Sequence, residues 1–142
     1  MRLPLFMSLP IPKVLFVDED PEAIHEILLK IEPLLLAYSL RRADALDRYI
    51  EEVRPHIVVL SDRVKNRRRD ARLILSKLRE YFRGKVLILT ECITQAEEAR
   101  WKERGADACL LHPTRSRPRL RQLSSRLTEL FASLGNGSSR QG

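Results

Sequence analysis

The segment Pro55-His56-Ile57-Val58-Val59-Leu60-Ser61-Asp62 sets four apolar residues in a row and then runs straight into two small polar ones. An unbroken Ile-Val-Val-Leu run, opened by a proline and closed by polar residues, suits a strand covered on both faces, as a parallel sheet demands. A central strand ending at Ser61 or Asp62 is the expectation. In open parallel sheets the chemistry gathers in the crevice beyond the carboxyl ends of the strands. Positions 61 and 62 are therefore where the function of the chain is to be sought.

On either side of this segment the pattern alternates between strand and helix. Upstream, Lys13-Val14-Leu15-Phe16-Val17 is a β-favouring run that ends in Asp18-Glu19-Asp20, and Pro21 opens a helix capped by Asp20. Ala23, Ile24, Ile27, Leu28 and Ile31 give that helix one apolar face, and Pro33 stops it. Leu34 to Leu40 reads as a second strand, and Ala43 to Val53 as an amphipathic helix leading into Pro55. Downstream, a helix is expected from about Asp70 to Phe82, ended by Gly84, then a strand over Lys85 to Thr90. A helix capped near Thr94 and closed by Gly105 follows, then a short strand Ala108 to Leu111 stopped by His112-Pro113. A last helix carries Leu120, Leu123, Leu127, Leu130 and Phe131 at spacings of three and four. Five strand–helix units predict an α/β doubly wound sandwich, since parallel strands need such crossovers and these keep one hand.

The 142 residues suit a single core: residues 1–12 form an N-terminal arm, 13–134 the domain and 135–142 a flexible Gly/Ser-rich tail. The apolar start is broken by three prolines and has no cleavage pattern, so it reads as an arm and not as a leader, and no later run is long enough to span a membrane. Cys92 and Cys109 are too few for a disulfide scaffold, which points to reduced thiols and a cytoplasmic protein. The net charge of +7 is uneven: residues 63–72 and 115–142 carry +5 each, leaving −3 for the rest. Arg63, Lys65, Arg67, Arg68 and Arg69 form a basic patch just past the central strand. Such a patch can face a polyanion, but no helix-turn-helix, RNP or zinc-finger spacing accompanies it.

The blocks Val14 to Pro21, Pro55 to Asp62, Leu87 to Thr90 and Gly105 to Pro113, in this order and spacing, resemble those of response-regulator receiver domains over roughly residues 13–131. The resemblance implies a flavodoxin-like five-stranded parallel sheet of order 2-1-3-4-5 with five flanking helices, in a protein of two-component signal transduction. It implies an acidic pair for Mg²⁺ at Asp18 and Glu19, an acceptor aspartate, a lysine, and a hydroxyl-plus-aromatic switch pair. Three of these are altered. The acceptor position, six residues after Pro55, is Ser61, with Asp62 one place late. The lysine position is His112, and the switch pair is Thr90 with Cys109 in place of the aromatic. The loop after Asp62 also lacks the family's Met-Pro pair, and the family's habit implies a cis His112–Pro113 bond.

A serine cannot form an acyl phosphate, and one residue of slip along a strand turns a side chain to the other face. The expectation is an atypical, pseudo-receiver domain without enzymatic activity. It works as a phosphorylation-independent interaction module toward another signalling protein, as a homodimer, with Arg100, Trp101, Arg104 and Arg119 as candidate interface residues. Two alternatives stand beside it. One is a phosphorylatable receiver using Asp62 with Mg²⁺ held at Asp18 and Glu19. The other is a nucleic-acid-associated regulator using the Arg-rich segments.

Overall fold

The computed structural model describes residues 11–19, 35–62, 71–91, 93–113 and 116–141, the side chains of the last helix being described as far as Leu134. Strands β1 (Lys13–Val17), β2 (Leu36–Leu40), β3 (Ile57–Ser61), β4 (Lys85–Thr90) and β5 (Ala108–Leu111) form one sheet of order β2-β1-β3-β4-β5. Every neighbouring pair is parallel. Four helices lie among the described residues: α1 (Leu46–Val53), α2 (Ala71–Leu78), α3 (Gln95–Glu103) and α4 (Arg117–Gln141). The expected helix beginning at Pro21 lies outside them.

Strand alternation divides the core into two layers. Leu15, Val17, Val58, Leu60, Val86 and Ile88 face α1, α2 and α3, packing with Leu46, Ile50, Ile74, Leu75, Leu78 and Trp101. Val14, Phe16, Ile57, Val59, Leu87 and Leu89 face the other way, onto Leu123, Leu127 and Leu130 of α4. All five residues of β3 are buried, which is why its sequence is apolar without alternation.

One helix end is shorter than the hydrophobic pattern suggests: the regular turns of α2 stop at Leu78, with residues 79–81 in the following turn and Phe82 just past it. Helix periodicity continues through such a turn because Phe82 still packs inward. α4 is longer than expected: it runs to Gln141, through the glycine- and serine-rich stretch read as a flexible tail. Once a helix is nucleated by packing, each added residue brings a hydrogen bond, which carries it past residues of poor propensity. No peptide bond among the described residues is cis, so His112–Pro113 is trans, the default of every peptide bond when its neighbours do not force the alternative.

Two glycines close tight approaches at the amino-terminal edge of the sheet. A Cβ on Gly84 would meet the carbonyl oxygen of His56 at 2.5 Å, and Gly105 has φ +117°, a region L side chains rarely enter.

Candidate functional site

Past the ends of the strands, single ladder bonds carry three polar residues into the crevice. The Asp18 amide donates to Leu40 O at 3.0 Å, the Asp62 amide to Leu89 O at 2.9 Å, and the His112 amide to Thr90 O at 2.7 Å. Backbone geometry alone thus fixes which face each side chain takes. Phe16, Val59 and Leu110 look toward α4, so Asp18, Ser61 and His112, each two residues on, follow that face. Leu60 and Ile88 look toward α1–α3, so Asp62 and Thr90 follow the opposite one.

The side-chain contacts agree with this division. His112 Nε2 lies 2.7 Å from Asp18 Oδ2, with both residues buried, at 5% and 2% exposed. Burial strengthens such a pair and makes loss of either partner costly. On the other face the Thr90 hydroxyl donates to Asp62 Oδ2 at 2.6 Å, and Asp62 itself is exposed. Ser61 is fully buried.

The structure therefore brings together Asp18 with His112, and Asp62 with Thr90, while strand alternation sets the two pairs on opposite faces. Glu19, next to Asp18, is exposed. Mg²⁺ calls for several oxygen ligands in a near-octahedral shell. Here one Asp18 oxygen is taken up by an imidazole nitrogen, Asp62 is turned to the far face, and no three His, Cys, Asp or Glu side chains among the described residues are grouped for a metal. With one Asp18 oxygen engaged in this way, the described residues do not present a ready octahedral shell for a hydrated Mg²⁺.

Cys109, at the aromatic switch position, is buried with the first core layer. Burial, with Glu98 adding to it and Lys102 opposing, pushes its thiol up to about 11. Such a thiol stays protonated and serves as a small apolar residue. Trp101 is 9% exposed and packs in the same layer. Its ring is the one large apolar side chain of the short α3 and helps seal the sheet. Thr94 caps α3, its Oγ1 accepting from the Glu97 amide at 3.1 Å. Arg100 and Arg104 of the candidate interface are exposed. Arg119 is exposed as well, and its Nη1 donates to His112 O at 3.3 Å. The basic patch Arg63, Lys65, Arg67, Arg68 and Arg69 lies outside the described residues.

One feature of this end was not foreseen. Arg72 from the start of α2 joins Arg100 and Arg104 around a cleft of about 220 Å³, with Asp62, Thr90, Glu97 and Trp101 completing its lining. The i,i+4 spacing of Arg100 and Arg104 on one helix face was a readable signal. That α2 supplies a third guanidinium beside them was not.

The sequence matches no protein-family model and no curated protein. Among solved structures it is similar to the BeF3-activated receiver domain of RstA from Klebsiella pneumoniae, at 23% identity, covering 81% of this chain and 97% of that one, TM-score 0.65. The Francisella response regulator 1452 receiver domain shares 20% identity over 87% of this chain and 98% of its own, TM-score 0.72. A signal receiver domain assigned to a Luxo repressor protein of Vibrio parahaemolyticus superposes with TM-score 0.75 at 14% identity, covering 94% of this chain and 99% of that one. The class these define is a flavodoxin-like sandwich, and within it the chain has the fold of response-regulator receiver domains.

Proposed function

We propose that this chain is a receiver-type signalling module that acts by contact with a partner protein and not by accepting a phosphoryl group. The observation that carries this reading is the buried 2.7 Å contact between His112 and Asp18 on the face where Ser61 stands. A phosphoryl-accepting site needs a carboxylate nucleophile and an acidic pair open to a metal. Here the position of the nucleophile is a serine, and the acid that would ligate the metal is tied to an imidazole. The module is non-enzymatic and cytoplasmic in this reading, and no helix among the described residues is long and apolar enough to cross a membrane. Its partner is another signalling protein or a second copy, met through exposed Arg100, Arg104 and Arg119. Sedimentation that finds only monomer at high concentration removes the second copy.

The test uses Trp101, the chain's single tryptophan, as reporter. Beryllofluoride with Mg²⁺ is expected to leave its emission unchanged in the native protein. The double variant Ser61→Asp/His112→Lys is expected to gain a Mg²⁺-dependent change. A Mg²⁺-dependent response of the native protein that vanishes in Asp62→Asn overturns the proposal in favour of a second reading, phosphorylation at Asp62. The observation favouring that alternative is the 2.6 Å bond from Thr90, since a hydroxyl beside a carboxylate is part of receiver switching. The nucleic-acid reading predicts duplex binding that weakens steeply with salt and is lost when Arg67, Arg68 and Arg69 become alanine.

A further inference from the structure

The structure assigns a second function to the cleft between α2 and α3: binding a small phosphate-class dianion, independently of Mg²⁺ and of any phosphoryl transfer. The cleft holds about 220 Å³ and is lined by three guanidinium side chains, Arg72, Arg100 and Arg104, with Thr90 and Trp101 as its buried parts.

Charge and geometry carry the inference. Asp62 and Glu97 also line the cleft, so three cations against two carboxylates leave a formal charge of +1. The Asp62 carboxylate is held by the Thr90 hydroxyl. Among the described residues neither Arg100 nor Arg104 lies within ion-pair distance of Glu97, Asp62 or another acid. Two like charges at i,i+4 on one helix face oppose the fold. The field at the carboxyl end of α3 accounts for one cation there. It does not account for two on one face, Arg100 and Arg104. A local cost without a structural return is what a binding site looks like in the absence of its ligand.

The ligand class follows from the number of forks. A carboxylate offers two oxygens and is filled by one guanidinium, whereas a phosphate offers three or four and takes several planar forks at once. A cleft of this volume admits a phosphate or the phosphate end of a small metabolite but not a folded acidic peptide. The site stands apart from the Asp18–His112 pair on the other face of the sheet, so it requires neither the serine nor the histidine.

The test is a titration of the full chain with inorganic phosphate, without Mg²⁺ and against chloride at matched ionic strength, read by Trp101 emission and by calorimetry. A saturable response is expected. It is expected to weaken about tenfold or more in Arg100→Gln/Arg104→Gln, because each charge-assisted hydrogen bond to a phosphate is worth that much or more. Both residues are exposed, so this variant keeps the fold, and an unchanged circular dichroism melt checks it. Arg72→Gln, on the other helix, is expected to weaken binding as well. No saturable response of the native chain, or an equal response in the double variant, overturns the inference. The readout is distinct from the beryllofluoride experiment, since it omits both the metal and the phosphoryl mimic, and either proposal can fail alone.

Discussion

The sheet is held at each end by a histidine, and the two are used in opposite ways. At the amino-terminal edge, His56 Nδ1 accepts from the Lys13 amide at 2.9 Å, a bond that only a neutral ring can make. Its backbone stitches the strands there, donating to Lys13 O at 2.9 Å and accepting from the Lys85 amide at 3.1 Å, while the ring lies edge-on to Phe131. At the carboxyl-terminal edge His112 faces a buried carboxylate. The charge pair at the amino edge is instead an arginine clasp: Arg79 donates to Gly105 O, Phe82 O and Gly84 O and to Asp107 Oδ2, at 2.8, 3.1, 2.7 and 2.7 Å. The same Asp107 oxygen accepts from the Val86 amide at 2.9 Å.

The difference separates architecture from site. A structural clasp takes a permanent cation with many donors, partly exposed, spanning several turns. The carboxyl edge buries one acid against one imidazole. Removing one partner of a buried, hydrogen-bonded pair is costly, so His112→Leu is expected to cost about 3–5 kcal/mol in urea unfolding. A loss below about 1 kcal/mol would mean that the pair is not buried as described. Arg79→Ala breaks more bonds, but they are partly exposed. The expected loss is smaller, about 2 kcal/mol, and if it exceeds that of His112→Leu the ranking of the two ends is reversed.

Gly105→Ala sharpens the amino end further. It forces an L residue to φ +117° and puts a methyl 2.7 Å from Arg79 Cγ, for an expected loss of about 1–3 kcal/mol. If the clasp is the reason, the double variant with Arg79→Ala costs less than the two single losses summed.

His56 also gives the amino edge a pH dependence. Burial, with help from the Lys13 cation, lowers the pKa of His56 below its ordinary 6.5. The unfolded chain then binds the proton more readily than the folded one. The contribution is complete above pH 6.5 and is lost as pH falls below it toward the folded value. Thermal unfolding followed from pH 7.5 to 5 should show a decline, and His56→Asn, which keeps an acceptor but cannot titrate, should flatten part of it. An equal slope in both proteins would remove His56 as the cause. The smallest effect is chemical: in a Cys92→Ser background the Cys109 thiol, pushed up to about 11, should react with Ellman's reagent at pH 8 only as fast as the protein unfolds. Prompt reaction would mean that this core layer is open.

Much of the architecture was legible because it rests on local pattern. Lys13–Val17 and Lys85–Thr90 read as strands to the residue, and β3 ends at Ser61 as Ile57-Val58-Val59-Leu60 implied. Where a helix ends was less legible: α2 stops its regular turns at Leu78 although Phe82 keeps the apolar spacing, and α4 continues past Gly135. Propensity and periodicity are short-range, whereas these ends are decided by what the next turn packs against.

For the site, the residue types at 18, 61, 62, 90 and 112 were plain in the chain, and counting from Pro55 was enough to put a serine where an aspartate would be expected. Counting could not show that His112 reaches Asp18 across 94 positions of sequence. Nor could it show that Trp101 seals the core, or that Arg72 comes to rest beside Arg100 and Arg104. Strand order follows from hydrophobic pattern and handed crossovers, which are written along the chain. The pairing of side chains at the strand ends depends on sheet register and on which face each last residue takes, and these exist only once the strands have met.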